Sequence, residues 1–124
     1  MKTSYAITVC NEHVELERLL TLLLKYTRSE DEIVVQCDQD NTTDDVYEVL
    51  DQFVLNNLHP DQIWMKVVQF PLNNNFAEFK NNLNSECTGD WIFQIDADEY
   101  PDRYLLESLP SVLADNNQQV EAIW

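Results

Sequence analysis

Residues 89–99 read Gly-Asp-Trp-Ile-Phe-Gln-Ile-Asp-Ala-Asp-Glu. Trp91 to Ile95 is apolar on both faces apart from Gln94, as expected of a strand covered on both sides by helices. It runs straight into Asp96-Ala97-Asp98-Glu99. In an open parallel sheet, ligands bind beyond the carboxyl ends of the strands, so this acidic stop falls where a site is expected. Along an extended chain residues i and i+2 point the same way, which lets Asp96 and Asp98 face one point with small Ala97 between them. Two hard carboxylate oxygens suit Mn²⁺ or Mg²⁺ that shares its remaining positions with phosphate and water. The plainer reading is an acidic loop whose Asp caps the next helix. The buried strand immediately before it favours the metal site.

Working outward, the same alternation of strand and helix recurs. Tyr5 to Cys10 is a short apolar run rich in β-branched residues, a first strand. Leu16, Leu19, Leu20 and Leu23 repeat at i, i+3, i+4 and i+7, one face of a helix. Ile33-Val34-Val35 forms a second strand, and Val46, Val49, Leu50 and Phe53 mark a second helix. Ile63 to Phe70 is a third strand, closed by Pro71 and the loop-forming cluster Asn73-Asn74-Asn75. Phe76, Phe79, Leu83 and Cys87 define one face of a third helix. Gly89, the one glycine of the chain, stands where that helix is expected to stop. Leu105, Leu106, Leu109, Val112 and Leu113 suggest a last helix kinked at Pro110, and Val120 to Trp124 reads as the start of another strand. Strands alternating with helices predict βαβ crossovers: an α/β fold with a mostly parallel sheet and helices on both faces.

Three of the four strand ends then carry carboxylates: Asn11-Glu12 after the first, Asp38-Gln39-Asp40 after the second, and Asp96 to Glu99 after the fourth. The stretch from Asp38 begins like an EF-hand calcium loop but has Thr43 in place of the sixth-position glycine and Val49 in place of the twelfth-position glutamate. With no glycine before Gly89, a P-loop, a GxGxxG turn and a GxSxG elbow are excluded, and a nucleotidyltransferase, which uses a glycine-rich loop after its first strand, is a weak reading. His13 and His59 are read as surface or helix-start residues.

The 124 residues allow one domain, taken as 1–124. With 23 acidic and 7 basic residues the net charge is −16, which repels nucleic acid and anionic lipid, so neither is an expected partner. Cys10, Cys37 and Cys87 are far apart, lack CxxC spacing and are odd in number. They are expected to be buried, reduced thiols. No signal-peptide pattern and no transmembrane segment of about 20 apolar residues are found, so a cytoplasmic protein is expected.

Taken in order, these stretches resemble the inverting glycosyltransferases of family 2, which have the Rossmann-like GT-A fold. Val9-Cys10-Asn11-Glu12 resembles the family's opening strand and Asn-Glu turn, and Asp31 to Val35 its second strand. Lys80-Asn81, Gly89-Asp90, Trp91 to Ile95 and Asp96-Ala97-Asp98-Glu99 follow at the family's spacing without gaps. Thr8 stands where many members have proline, and Lys80 where arginine is commoner. The family's base- or ribose-contacting Asp corresponds to Asp38 if one residue is inserted, and to Cys37 otherwise.

The resemblance implies a GT-A half domain that binds a nucleotide sugar, a UDP-sugar by default, with divalent-metal assistance. Thr8, Asn11, Glu12, Asp38, Lys80 and Asp96 would contact the donor. Asp96 and Asp98 would hold the cation, Asp98 the more directly. The acceptor would be a glycan, lipid or protein. The general base required for inversion would come from an acceptor-binding half expected to follow residue 124, so the chain is read as truncated and possesses no nominated catalytic base. The alternative is a non-catalytic nucleotide- or partner-binding module, a degenerate or truncated transferase or an acidic interaction domain.

Overall fold

The computed structural model describes residues 2–56, 64–99, 101 and 106. The elements alternate as β1 (Thr3–Val9), α1 (His13–Tyr26), β2 (Glu32–Asp38), α2 (Asp44–Asn56), β3 (Trp64–Phe70), α3 (Phe76–Ser85) and β4 (Trp91–Asp96). The four described strands form one sheet in the order β3-β2-β1-β4, and every pairing is parallel. The α/β fold with a parallel sheet is therefore as expected. The kinked last helix lies outside the described residues except for Leu106, which is helical and buried. His59, Ile63 and Val120 to Trp124 lie outside them as well.

Period-two alternation sorts the side chains. Odd-numbered residues of β1, β2 and β4, among them Tyr5, Ile7, Ile33, Val35, Phe93 and Ile95, pack against Leu16, Leu19, Leu20 and Leu23 of α1 and Val46 and Leu50 of α2. Each such buried side chain is worth about 1.5–3 kcal/mol, and removing most of them would unfold the domain. Even-numbered residues face α3. There the apolar cluster is small, Ala6 and Val34 with Leu83, and hydrogen bonds do the remaining work. Gln36, fully buried, donates to the Phe79 carbonyl (2.8 Å) and accepts from Asn82 (2.8 Å), while Gln94 donates to Asn84 (2.6 Å).

Strand order explains the two faces. β1, β2 and β3 step in one direction with right-handed crossovers, which puts α1 and α2 on the same side. β4 returns to the far side of β1, and that reversal puts α3 on the other. The reversal is also the topological switch point, between the carboxyl ends of β1 and β4.

The amino ends of the strands are tied together by two buried carboxylates. Asp31 accepts from the Thr3 amide (2.9 Å), the Arg28 amide (3.0 Å) and the Arg28 guanidinium (3.2 Å). Glu32 accepts from the Ser4 hydroxyl (2.5 Å), the Thr88 amide (2.6 Å) and the Thr88 hydroxyl (3.0 Å).

Three local expectations are revised. α3 ends at Ser85, and Glu86 caps it in an ordinary right-handed conformation, four residues before the position expected for its stop. Gly89 has no positive φ; a Cβ there would meet the Ser4 hydroxyl at 2.6 Å and the Ser4 amide nitrogen at 2.7 Å, so glycine is needed for close approach to β1. Phe76, expected on the buried face of α3, is 68% exposed. The helix runs antiparallel to the strands and begins beyond their carboxyl ends, so its first residue overhangs the sheet. Of the three thiols, all free, Cys37 is buried, but Cys10 and Cys87 are only half-buried because each lies just past the end of an element.

Candidate active site

The carboxyl ends of β1 and β4 are joined by register before any side chain is considered. Thr8 pairs with Asp96, and the Ala97 amide donates to the Thr8 carbonyl (3.0 Å). Both Thr8 and Asp96 are even-numbered and share the α3 side of the sheet. The Thr8 hydroxyl donates to Asp96 Oδ1 (2.6 Å). Lys80, on α3, donates to the same oxygen at 3.0 Å and reaches Thr8 Oγ1 at 3.5 Å. Burial pushes the Asp96 carboxyl up, but the Thr8 and Lys80 hydrogen bonds and the lysine's charge outweigh it and hold the group below its usual value.

Beyond this trio opens a cleft of about 280 Å³ lined by Thr8, Val9, Cys10, Glu12, Phe76, Asp96 and Asp98. The structure thus gathers four of the residues singled out from the sequence, Thr8, Glu12, Asp96 and Asp98, with Lys80 bonded to two of them. It does not gather Asn11 and Asp38 into the cleft wall. Asn11 is exposed, and its amide donates to the Glu12 carboxylate (3.2 Å). Asp38 is buried at the end of β2 and spends its carboxylate on its own loop, accepting from the Asp40 amide (3.3 Å) and the Asn41 side chain (3.0 Å). Cys37 points the other way, into the α1–α2 core.

Asp96 and Asp98 reach the cleft wall by a different route from the extended chain expected. The Glu99 amide donates to the Asp96 carbonyl (2.9 Å), closing a turn over Asp96 to Glu99, and the Glu99 carboxylate accepts from the Asp96 amide (2.9 Å). Ala97 is buried in the core beside β1, which leaves Asp96 and Asp98 exposed on either side of it.

The carboxylates of Asp96 and Asp98 are the two hard oxygen donors that a cation in the cleft could take. Among the described residues no three or more His, Cys, Asp or Glu side chains gather as a metal cage. This composition fits a cation that takes the rest of its shell from phosphate and water, as Mg²⁺ does. It does not fit a closed structural zinc site.

Phe76 and Cys10 also line the cleft and were not assigned to it from sequence. The signal for Phe76 was available: an aromatic directly after the turn residues Asn73 and Asn74, both in left-handed conformations (φ 47° and 58°), and the N-cap Asn75, which accepts from the Glu78 amide (3.1 Å). A residue at the first helical position is the one least covered by the sheet. For Cys10 no comparable signal exists.

Among models of protein families, the one described as glycosyl transferase family 2 matches residues 4–122. Among solved structures, the chain is similar to the crystal structure of S. aureus TarS 1-349, with a TM-score of 0.74 and 21% sequence identity. That match covers 93% of this chain and 33% of the other. At such identity the likeness concerns the fold. No curated protein matches the chain.

Proposed function

Since the chain belongs to glycosyl transferase family 2, we propose that the β1–β4 cleft is the donor-binding site of a glycosyltransferase that moves a sugar from a nucleoside diphosphate to a glycan, lipid or protein acceptor. The observation that carries this reading is the meeting of Thr8, Glu12, Asp96, Asp98 and Lys80 at the switch point of a parallel sheet. Such points are where this class of fold binds nucleotides.

In this reading Asp98 and Asp96 hold a divalent cation, Mn²⁺ or Mg²⁺. When bound, the cation supplies charge neutralisation for the departing diphosphate. Lys80 adds a second positive charge on the α3 side, and Thr8 orients Asp96 through its hydroxyl. Phe76, exposed at the rim, offers a flat apolar surface to a base or sugar ring. Glu12 lines the same cleft and completes the donor contacts, while Asn11 and Asp38 lie along the same edge of the sheet, outside the cleft wall. We assign residues 1–124 as a single donor-binding domain. The general base and the acceptor pocket belong to a further half, in keeping with a chain that spans a third of the TarS structure's length. Among the described residues no helix is long and apolar enough to cross a membrane. A cytoplasmic enzyme is part of the same proposal.

The test is calorimetric titration with UDP, GDP, dTDP and CDP, each with and without Mn²⁺. Manganese-dependent binding of one nucleotide supports the donor site and names the base, with UDP expected. No binding by any of the four, in a folded protein, overturns the reading in favour of a non-catalytic interaction module.

A further inference from the structure

Lys80 is placed with more care than a surface lysine needs. Its helix is pinned to the sheet by three side-chain hydrogen bonds that bracket it: Gln36 to the Phe79 carbonyl, Asn82 to Gln36, and Gln94 to Asn84. The backbone of α3 is therefore fixed relative to β1 and β4. The ammonium is delivered to the one Asp96 oxygen that Thr8 already occupies. Its side chain is two-thirds covered, at 33% exposure.

We propose that Lys80 is a built-in counter-cation that occupies Asp96 while the cleft is empty, so that a divalent cation enters only together with an anionic ligand able to draw the lysine away. This rests on the donor-site reading above. A metal ion at Asp96 Oδ1 must displace an ammonium 3.0 Å from that oxygen, and two cations that close repel strongly. Alone, the metal would leave Lys80 in a half-buried position without a carboxylate. A diphosphate removes the conflict, because its oxygens accept from the lysine and ligate the metal at once. Lys80 thereby acts as a positioning residue that couples the two ligands: the diphosphate raises the affinity for the cation, and by linkage the cation raises the affinity for the diphosphate.

The experiment measures Mn²⁺ alone, by the loss of its free electron-paramagnetic-resonance signal, against the wild-type chain, K80M, K80R and K80M/D96N. It then repeats the titrations with UDP present. Methionine keeps the helix propensity and the aliphatic stem, so the fold is retained. Without UDP, K80M should bind Mn²⁺ about tenfold more tightly than wild type. K80R should behave as wild type, and the gain should vanish in K80M/D96N. With UDP the order reverses, wild type exceeding K80M. Equal Mn²⁺ affinity of wild type and K80M without UDP overturns the counter-cation role, even where both bind UDP with Mn²⁺ and the donor site stands. A K80M gain that persists in K80M/D96N overturns it too. Failure of UDP to bind any form counts against the donor site alone, because the Mn²⁺ comparison without UDP still reads the lysine.

Discussion

At the scale of single residues, the carboxylates divide into two sets with opposite duties. Asp31 and Glu32 are buried at the amino end of the sheet and saturated with donors. Asp96 and Asp98 are exposed at the carboxyl end. Asp98→Asn should accordingly change stability by no more than about 0.5 kcal/mol while abolishing manganese-dependent nucleotide affinity. Thermal unfolding and calorimetry check the two halves, and retained Mn²⁺-dependent affinity would remove Asp98 from the metal site. For Glu32, burial pushes the carboxyl up, but the hydrogen bonds from Ser4 and Thr88 and the nearby Lys2 charge prevail and hold it below its usual value of 4.5. A carboxyl with a lowered folded-state pKa contributes stability that is complete above its unfolded value and lost as pH falls through the folded one. Urea stability should therefore decline as pH drops below about 4.5. The decline attributable to this group should be missing in Glu32→Gln, which should already be less stable at neutral pH. An identical acid slope in the two proteins would contradict the assignment.

At the scale of elements, α3 differs from α1 and α2. The latter two are held by leucine- and valine-rich faces against a large apolar layer. α3 covers a thin apolar patch and is fastened by the buried amide of Gln36 and the half-buried amide of Gln94. Gln36→Ala leaves the Asn82 side chain and the Phe79 carbonyl without their partner, a loss of about 1–3 kcal/mol. The urea midpoint should fall accordingly, and amide exchange should accelerate in α3 more than in α1. Uniform acceleration of both helices would mean that Gln36 stabilises the sheet as a whole rather than the helix that carries Lys80. The helix periodicities of α1 and α2 were plain in the sequence because wide apolar faces repeat cleanly. The boundary of α3 was not, because Phe76 extends its apolar pattern beyond the covered surface and Cys87, packed against the small cluster, extends it beyond the helix. One overhangs the cleft and the other follows the helix.

At the scale of the whole molecule, a net charge of −16 on 124 residues makes compaction work against self-repulsion. Raising monovalent salt from about 10 mM to about 150 mM shortens the screening length from about 30 Å to about 8 Å. It should raise the melting temperature by a few degrees, as scanning calorimetry would read. A fall instead would show that attractive ion pairs such as Arg28 with Asp31 and Lys66 with Glu86 outweigh the repulsion. The same excess of acid gives Lys80 its weight: among the described residues it is the cation bonded to Asp96, one of three carboxylates that line the cleft with Glu12 and Asp98.

The sequence by itself determined the alternation of strands and helices, the buried character of β2, and the acidic ends of the strands. These follow from local periodicity and from side chains whose burial must match their polarity. Only the tertiary structure decided the strand order β3-β2-β1-β4, which puts β1 beside β4 and so makes Thr8 and Asp96 neighbours across 88 residues of chain. Strand order is a choice among parallel pairings of similar local energy, settled by how crossovers pack on both faces. No single stretch encodes it. The same holds for Gly89, whose need for a bare Cα comes from Ser4 on another strand. It holds too for the turn at Asp96, Asp98 and Glu99, where the Ala97 amide bonded to Thr8 fixes what a reading of the loop alone leaves open.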